Sequence, residues 1–210
     1  MIEAPSVGIT RIHILDKPNG TGAWRFVESQ KRQTAANRLY RLAFERAQMP
    51  LLPGTHYIEC SAESFNAGYD RQLGIDVWLR FQHGGRATLQ EKFLFTEFRT
   101  VTVEYYQNWR TQEPGDWFSM NAQYYFVGYD RIQANDFQEW ILLDWPAVQR
   151  STAQDHIKWY EKPNRNDGAR ASFRYAPFAH FPPECVVAAD FKGNPHQPTM
   201  RQQPLFRSAP

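Results

Sequence analysis

Two segments joined by a Gly-Gly turn constrain this chain more than any other feature. Residues 74–81 alternate apolar and polar side chains and are rich in residues that favour strands, and residues 87–95 form a second strand-like segment. Gly84 and Gly85 lie between the two segments, and a glycine pair in this position is a strong short-range signal for a hairpin. We therefore predict an antiparallel β-hairpin over residues 74–95.

The predicted hairpin carries three side chains that suit metal-dependent chemistry. Asp76 lies on the first strand. Side chains alternate faces along a strand, so Gln90 and Lys92 share one face of the second strand. Glu91 lies on the opposite face, together with Leu89. The hairpin therefore gathers a carboxylate, an amide oxygen and an ammonium group at one end of a sheet.

The remaining chain combines one long helical segment with several short strands. A helix is predicted from about Trp24 to Gln48, where helix-forming residues recur at helical spacing and Pro50 ends the pattern. Further strands are predicted over residues 7–15, 55–60, 99–106, 123–129, 172–175 and 185–188. Residues 137–145 fit either a strand or a helix. We expect an α/β fold with a mixed central β-sheet flanked by helices.

Length and composition indicate one domain of a soluble protein. The chain has 210 residues, which predicts a single domain over residues 1–190 and a Pro-rich, poorly ordered tail over residues 191–210. Its net charge of +2 is too small to identify a nucleic-acid binder. Cys60 and Cys185 are far apart, and no signal peptide or membrane-spanning run is visible. These features predict a cytoplasmic protein without a membrane partner.

The hairpin residues match the needs of phosphodiester hydrolysis. A divalent cation activates water in that reaction and neutralises the charge that grows on the phosphate. Mg²⁺ favours oxygen ligands and takes only one or two carboxylates from a protein. We expect Asp76 to be the central ligand, with the side-chain carbonyl of Gln90 and the backbone carbonyl of Glu91 beside it. Lys92 would stabilise the transition state as a point charge.

The order helix, strand, Asp-bearing strand, hairpin and Gln-x-Lys strand resembles the PD-(D/E)xK nuclease superfamily. The resemblance covers residues 24–129 and implies a restriction-endonuclease-like αβββαβ core and a Mg²⁺-dependent DNA endonuclease, with Mn²⁺ as an alternative metal. It also implies a glutamate on the preceding helix. The family usually has Asp or Glu where this chain has Gln90, although active relatives with Gln exist in the superfamily.

Glu28 is the candidate for that glutamate. At about 100° per residue it lies on the same helix face as the apolar residues Ala35 and Leu39. A carboxylate on an apolar face requires a partner. Arg32, one turn further on, is one such partner, and a bound metal or a lysine of the site is the other.

A separate group of basic residues is predicted to contact nucleic acid. The group consists of Lys158, Lys162, Arg165, Arg170 and Arg174, around a loop predicted to be exposed. Trp159 and Tyr160 lie among them, and cations with aromatic neighbours suit phosphate contact combined with base stacking. The expected partner is DNA, and a homodimer would bring two sites to one duplex.

Three other interpretations remain open from the sequence. Asp76 and Lys92 would be a simple cross-strand ion pair in a chain without this activity. A nuclease fold with Gln90 is also compatible with a DNA-binding protein that cleaves poorly or not at all. Finally, the aromatic content of 15% would suit a structural or interaction protein that binds no nucleic acid.

Overall fold

The computed structural model describes residues 35–52, 58–59, 73–94, 99–130, 137–164 and 170–194. Glu28, Cys60 and Arg165 lie outside the described residues, as do the predicted strand over residues 7–15 and most of the predicted tail. Phe191 and Asn194 are buried, so the packed part of the chain continues beyond Asp190.

The predicted long helix is present over residues 35–46, which we call α1. Ala36, Tyr40 and Phe44 recur every four residues, and all three are fully buried against the sheet. The helix ends where Gln48 adopts a positive φ of 56° and Met49 N donates to Phe44 O at 2.8 Å. The end of the helix therefore falls just before Pro50, as the sequence predicts.

The predicted hairpin is confirmed. It consists of β2 (Val77–Arg80) and β3 (Arg86–Leu94), which pair antiparallel with Val77 opposite Leu89. Phe81 N donates to Gly85 O at 2.9 Å and closes the turn. The backbone of β1 (Ile58–Glu59) pairs antiparallel with β2 on its other edge.

The first sheet is mixed and has the strand order β1-β2-β3-β6-β7-β10. Strand β6 (Tyr124–Asp130) lies parallel to β3, while β7 (Phe137–Asp144) and β10 (Val186–Asp190) continue the sheet in antiparallel pairs. The described structure is therefore of mixed α/β class, as predicted.

A second sheet was not anticipated from the sequence. Its order is β5-β4-β9-β8, formed by β4 (Thr100–Asn108), β5 (Glu113–Pro114), β8 (Tyr160–Pro163) and β9 (Ser172–Pro177). The strand predicted over residues 99–106 thus forms, but it pairs with β9 rather than within the first sheet. The predicted mixed sheet is present, and on this face the second sheet covers it together with helix α3 (Trp145–Ala153).

Two further α-helices follow strands in the described fold, which also contains 3-10 turns at Phe178–His180 and Pro183–Cys185. Helix α2 (Asp116–Ser119) follows β5, and helix α3 (Trp145–Ala153) follows β7 directly. The ambiguous segment 137–145 is therefore a strand up to Asp144, and a helix begins at Trp145. Asp144 Oδ1 accepts from Ala147 N at 2.8 Å and Pro146 lies in the first turn, a combination that favours the start of a helix. None of the helices in the described part of the chain is long and apolar enough to cross a membrane.

Two hydrophobic cores lie on opposite faces of the first sheet. The α1 core joins Tyr40 and Phe44 to Leu89, Phe126 and Leu142. The α3 core contains Val103 of the second sheet, Tyr125, Val127 and Ile141 of the first sheet, and Trp145 of α3. Neighbouring residues of β6 and β7 point into different cores, so these two strands are buried on both sides.

Candidate functional site

Asp76 is held where β2 begins, next to the middle of β3. Its backbone N donates to Leu89 O at 3.0 Å, which continues the pairing of the hairpin by one residue. Its side chain accepts a hydrogen bond at Oδ2 from Glu91 N at 2.7 Å. Both hydrogen bonds orient the carboxylate across the edge of the hairpin, beside Gln90.

Gln90 lies opposite Asp76 in the register of the hairpin and has a buried side-chain carbonyl oxygen. Among the described residues, no donor lies within hydrogen-bonding distance of Gln90 Oε1, although that atom is buried. The amide Nε2 lies 3.5 Å from Glu91 O, the backbone carbonyl expected to join the site. A buried acceptor without a donor costs about 1–3 kcal/mol, so a buried oxygen in this state suits a bound cation.

Gly74 and Met120 close the site above Gln90. Gly74 has a φ of +55°, and a Cβ built on it would lie 3.3 Å from Gln90 Oε1 and 3.2 Å from Met120 Cγ. Asn121 N donates to Leu73 O at 2.8 Å and fastens the segment after α2 against the start of the hairpin. A side chain at position 74 would therefore crowd these two segments, and the positive φ would strain it.

Lys92 shares the face of Gln90, as predicted. Gln90 pairs with Tyr125 and Lys92 pairs with Val127, and both partners belong to the α3 core. Beyond Leu89 the residues of β3 become half-buried, because the pairing with β2 ends there. The Lys92 ammonium is therefore held at the border between the sheet and solvent.

Glu104, which was not among the predicted site residues, lies near Lys92. Burial raises the pKa of Glu104 above its ordinary value of 4.5, the carboxylate of Asp116 raises it further, and the ammonium of Lys92 lowers it. A Cβ on Gly115 would lie 2.9 Å from Glu104 Cγ, so the chain entering α2 packs directly on this side chain. Glu104 is accordingly half-buried.

The carboxylates of Asp116 and Asp76 both act on the Tyr125 hydroxyl. Burial raises the pKa of Tyr125 well above its ordinary value of 10.0, and the charges of Asp116 and Asp76 raise it further. Its hydroxyl donates to Thr102 O at 2.8 Å. The tyrosine therefore remains a neutral hydrogen-bond donor, and it connects the hairpin side of the site to β4.

Glu91 projects to the opposite face, in agreement with the alternation of the strand. Tyr40 of α1 donates a short hydrogen bond to Glu91 Oε1, and Glu91 pairs with Phe126, which belongs to the α1 core. The side chain of Glu91 therefore cannot join Gln90 and Lys92, and only its backbone carbonyl lies on their side.

The structure separates the predicted basic group. Arg174 Cζ lies 3.6 Å from the centre of the Tyr105 ring and 5.0 Å from that of Trp117, so this cation packs among aromatic rings. Lys162 pairs with Phe173, which is next to Arg174 on β9, so Lys162 and Arg174 lie on opposite faces of the second sheet. Lys162 is exposed. Lys158 Nζ lies 5.3 Å from the centre of the Tyr160 ring, and Arg170 is exposed.

Trp159 does not offer a free ring for base stacking. Its Nε1 donates to Thr152 Oγ1 at 2.9 Å, and its ring packs edge-on against Trp117 and Phe181. Tyr160 has an exposed fraction of 37% and is the accessible member of this pair.

The described residues offer a sparse metal-binding group. No three side chains of His, Cys, Asp or Glu come together there as ligands. Asp76 and Gln90 instead provide one carboxylate and one amide oxygen, and Glu91 adds a backbone carbonyl. This oxygen-only set fits Mg²⁺, which retains several water ligands, better than it fits a metal that needs four protein ligands.

Comparisons with known proteins did not relate the chain to a family. We found no matching family model, no matching curated protein and no matching solved structure.

Proposed function

We propose that the protein is a Mg²⁺-dependent endonuclease that hydrolyses phosphodiester bonds in DNA. The observation that carries the proposal is the buried oxygen Gln90 Oε1, which lacks a hydrogen-bond donor among the described residues. Gln90 follows Leu89, the partner of Val77, so the antiparallel register of the hairpin places Gln90 opposite Asp76. Lys92 follows two residues later on the same face. A carboxylate, a neutral oxygen and a cation in this order suit a metal ion and a phosphate side by side.

The topology around the site supports this proposal. Helix α1 packs on a β1-β2-β3 meander, and β6 returns parallel to β3. We propose that these elements are a restriction-endonuclease-like core. The described part of the connection from β3 to β6 carries β4, β5 and the short α2, whereas the resemblance implies a helix there.

Each residue of the proposed site has a defined task. Asp76, Gln90 Oε1 and the Glu91 carbonyl would hold the metal, with Glu28 as a further ligand. When bound, Mg²⁺ supplies a polarised water and neutralises charge on the phosphate. Lys92 would bind a non-bridging phosphate oxygen and stabilise the negative charge that develops there. The Lys92 ammonium lowers the pKa of Glu104, so these two groups lie close enough to interact.

The direct test is cleavage of supercoiled plasmid and of linear DNA in Mg²⁺, in Mn²⁺ and in chelator. We expect metal-dependent nicking by the wild-type protein. Asp76→Asn and Lys92→Ala should each reduce the rate by about 100-fold or more, which is typical for the loss of one electrostatic group at a reaction centre.

The matched controls are Asp190→Asn and Lys192→Ala. Both residues are exposed and lie on β10 or just after it, at the far edge of the first sheet. They should retain the wild-type rate. Full activity of Asp76→Asn would contradict the proposed site, whatever the controls show.

A second candidate function is DNA binding without efficient catalysis. It is favoured by the neutral Gln90 and by the lack of a three-residue acidic ligand group in the described chain. Such a protein would bind DNA equally well with chelator present and would cut under none of the conditions. Gln90→Glu distinguishes the two functions further, because an added ligand charge should lower the Mg²⁺ concentration that an active enzyme needs.

A further inference from the structure

One face of the second sheet carries aromatic rings that do not belong to either core. Across the sheet, Thr102 pairs with Tyr175 and Tyr175 pairs with Tyr160. In the next row, Glu104 pairs with Phe173 and Phe173 pairs with Lys162. Residues paired across neighbouring strands share a face. We call the surface formed by Tyr160, Phe173 and Tyr175 the aromatic face.

The opposite face of the same sheet is the one that packs inward. Val101, Val103 and Ala176 alternate with the residues of the aromatic face, and all three are buried in the α3 core. Arg174 and Glu161 pair on that inward side, and Ser172 donates to Glu161 Oε1 at 3.3 Å. The aromatic face therefore points away from the α3 core.

The three rings are accessible to solvent, and two of them stack on each other. Tyr160 has an exposed fraction of 37%, and Phe173 and Tyr175 are half-buried. The rings of Tyr160 and Tyr175 are stacked, with their centres 5.5 Å apart and an angle of 24° between their planes. Contiguous apolar patches exposed on a protein surface mark interaction sites or ligand-binding grooves.

The charges around the aromatic face are complementary to a polynucleotide. Lys158 Nζ lies over the Tyr160 ring at 5.3 Å, and Lys162 is exposed in the row of Phe173. Glu161 is exposed, and strand alternation places its side chain on the face opposite these two cations, where Ser172 donates to it. Glu104 ends the same row as Lys162, at the border of the candidate site.

The aromatic face is continuous with the candidate site. Glu104 belongs to the row of Phe173 and Lys162, and it lies close enough to Lys92 for the ammonium to act on its carboxyl group. Thr102, in the other row, accepts a hydrogen bond at its carbonyl from the Tyr125 hydroxyl. A strand lying along the row of Phe173 would therefore run towards Lys92.

We propose that the aromatic face binds a single-stranded stretch of DNA and leads it to Lys92. Unpaired bases stack on Tyr160, Tyr175 and Phe173, and Lys158 and Lys162 contact the phosphates. A duplex has its base faces covered by its own stacking, whereas a single strand exposes them to aromatic side chains. This inference rests on the proposed nuclease function for its choice of DNA, and it makes a single-stranded region part of the substrate.

The test measures binding with cleavage suppressed. A labelled oligothymidine of about 15 nucleotides is titrated with the full-length protein in chelator, and fluorescence anisotropy reports the affinity. Tyr160→Thr and Tyr175→Thr remove a ring and retain a residue that favours strands. Each should weaken binding about 5-fold or more, and the double variant should weaken it further.

Two control variants match these changes. His83→Thr removes an exposed ring from the β2–β3 turn, and it should bind as the wild type does. Lys162→Gln should weaken binding and reduce its salt dependence, whereas Lys192→Gln should do neither. Thermal unfolding of every variant shows whether it is folded. Lys162→Gln changes a charge on the aromatic face and leaves its three rings intact, so it tests the same surface independently of the ring substitutions.

Three outcomes would overturn the inference. They are wild-type affinity in the Tyr160→Thr, Tyr175→Thr double variant, no binding of the oligothymidine by the wild-type protein, and tighter binding of a duplex that is insensitive to both substitutions. The proposed nuclease function fails separately. In that case the oligothymidine still binds in chelator, but plasmid remains uncut with every metal.

Discussion

At the scale of single residues, Glu104 is the group whose ionisation the fold opposes. Burial raises its pKa above 4.5, and Asp116 adds to the effect. A carboxyl group with a raised pKa stabilises the fold fully below its unfolded value, and that stability is lost as the pH rises through the folded pKa. Wild-type protein therefore loses free energy of unfolding from this group as the pH rises above 4.5.

Glu104→Gln removes this pH dependence. We expect the variant to gain stability relative to the wild type as the pH rises above 4.5, with no gain below that pH. Urea unfolding at a series of pH values measures the difference. Glu113→Gln, at an exposed carboxylate on β5, is the matched control. A constant difference between Glu104→Gln and the wild type over the whole range would contradict the electrostatic interpretation.

At the scale of elements, the boundary between β7 and α3 depends on Asp144. Its Oδ1 accepts from Ala147 N at 2.8 Å and caps the first turn of the helix. Asp144→Ala should lower the free energy of unfolding by about 0.5–2 kcal/mol, because that backbone donor loses its partner. Asp144→Asn retains an acceptor and should lower the free energy of unfolding much less. Denaturant unfolding of the two variants makes the comparison, and equal losses would show that the carboxylate acts in some other way.

At the scale of the whole molecule, the two cores share the strands β6 and β7. Ile141 and Leu142 are adjacent and fully buried, yet Ile141 packs in the α3 core and Leu142 in the α1 core. We expect both Ile141→Ala and Leu142→Ala to lower the free energy of unfolding by about 2–5 kcal/mol. Because the cores share a sheet, each variant should still unfold in one transition.

Tryptophan fluorescence and far-UV circular dichroism should therefore give coincident unfolding curves for both variants. Trp145 reports on the α3 core and Trp140 on the α1 core, so the two cores have separate fluorescent groups. A fluorescence change that precedes the loss of secondary structure in only one variant would show that the cores unfold independently.

Local features of the fold were determined by the sequence alone. The hairpin followed from Gly84 and Gly85, and the end of α1 followed from Pro50. The same holds for the faces of β3, where Gln90 and Lys92 lie opposite Glu91. Strand alternation has a period of two residues, so a face assignment needs no knowledge of distant segments.

The tertiary structure alone decided how distant segments meet. The sequence predicted the strand now called β4, but not that it would leave the first sheet and bring Glu104 towards Lys92. Likewise, the sequence placed Arg174 in a group of five basic residues around a loop predicted to be exposed, whereas in the structure Arg174 packs on the Tyr105 ring. The physical reason is that local propensity and alternation depend on neighbouring residues, whereas the choice of strand partner depends on which apolar surfaces can be buried together.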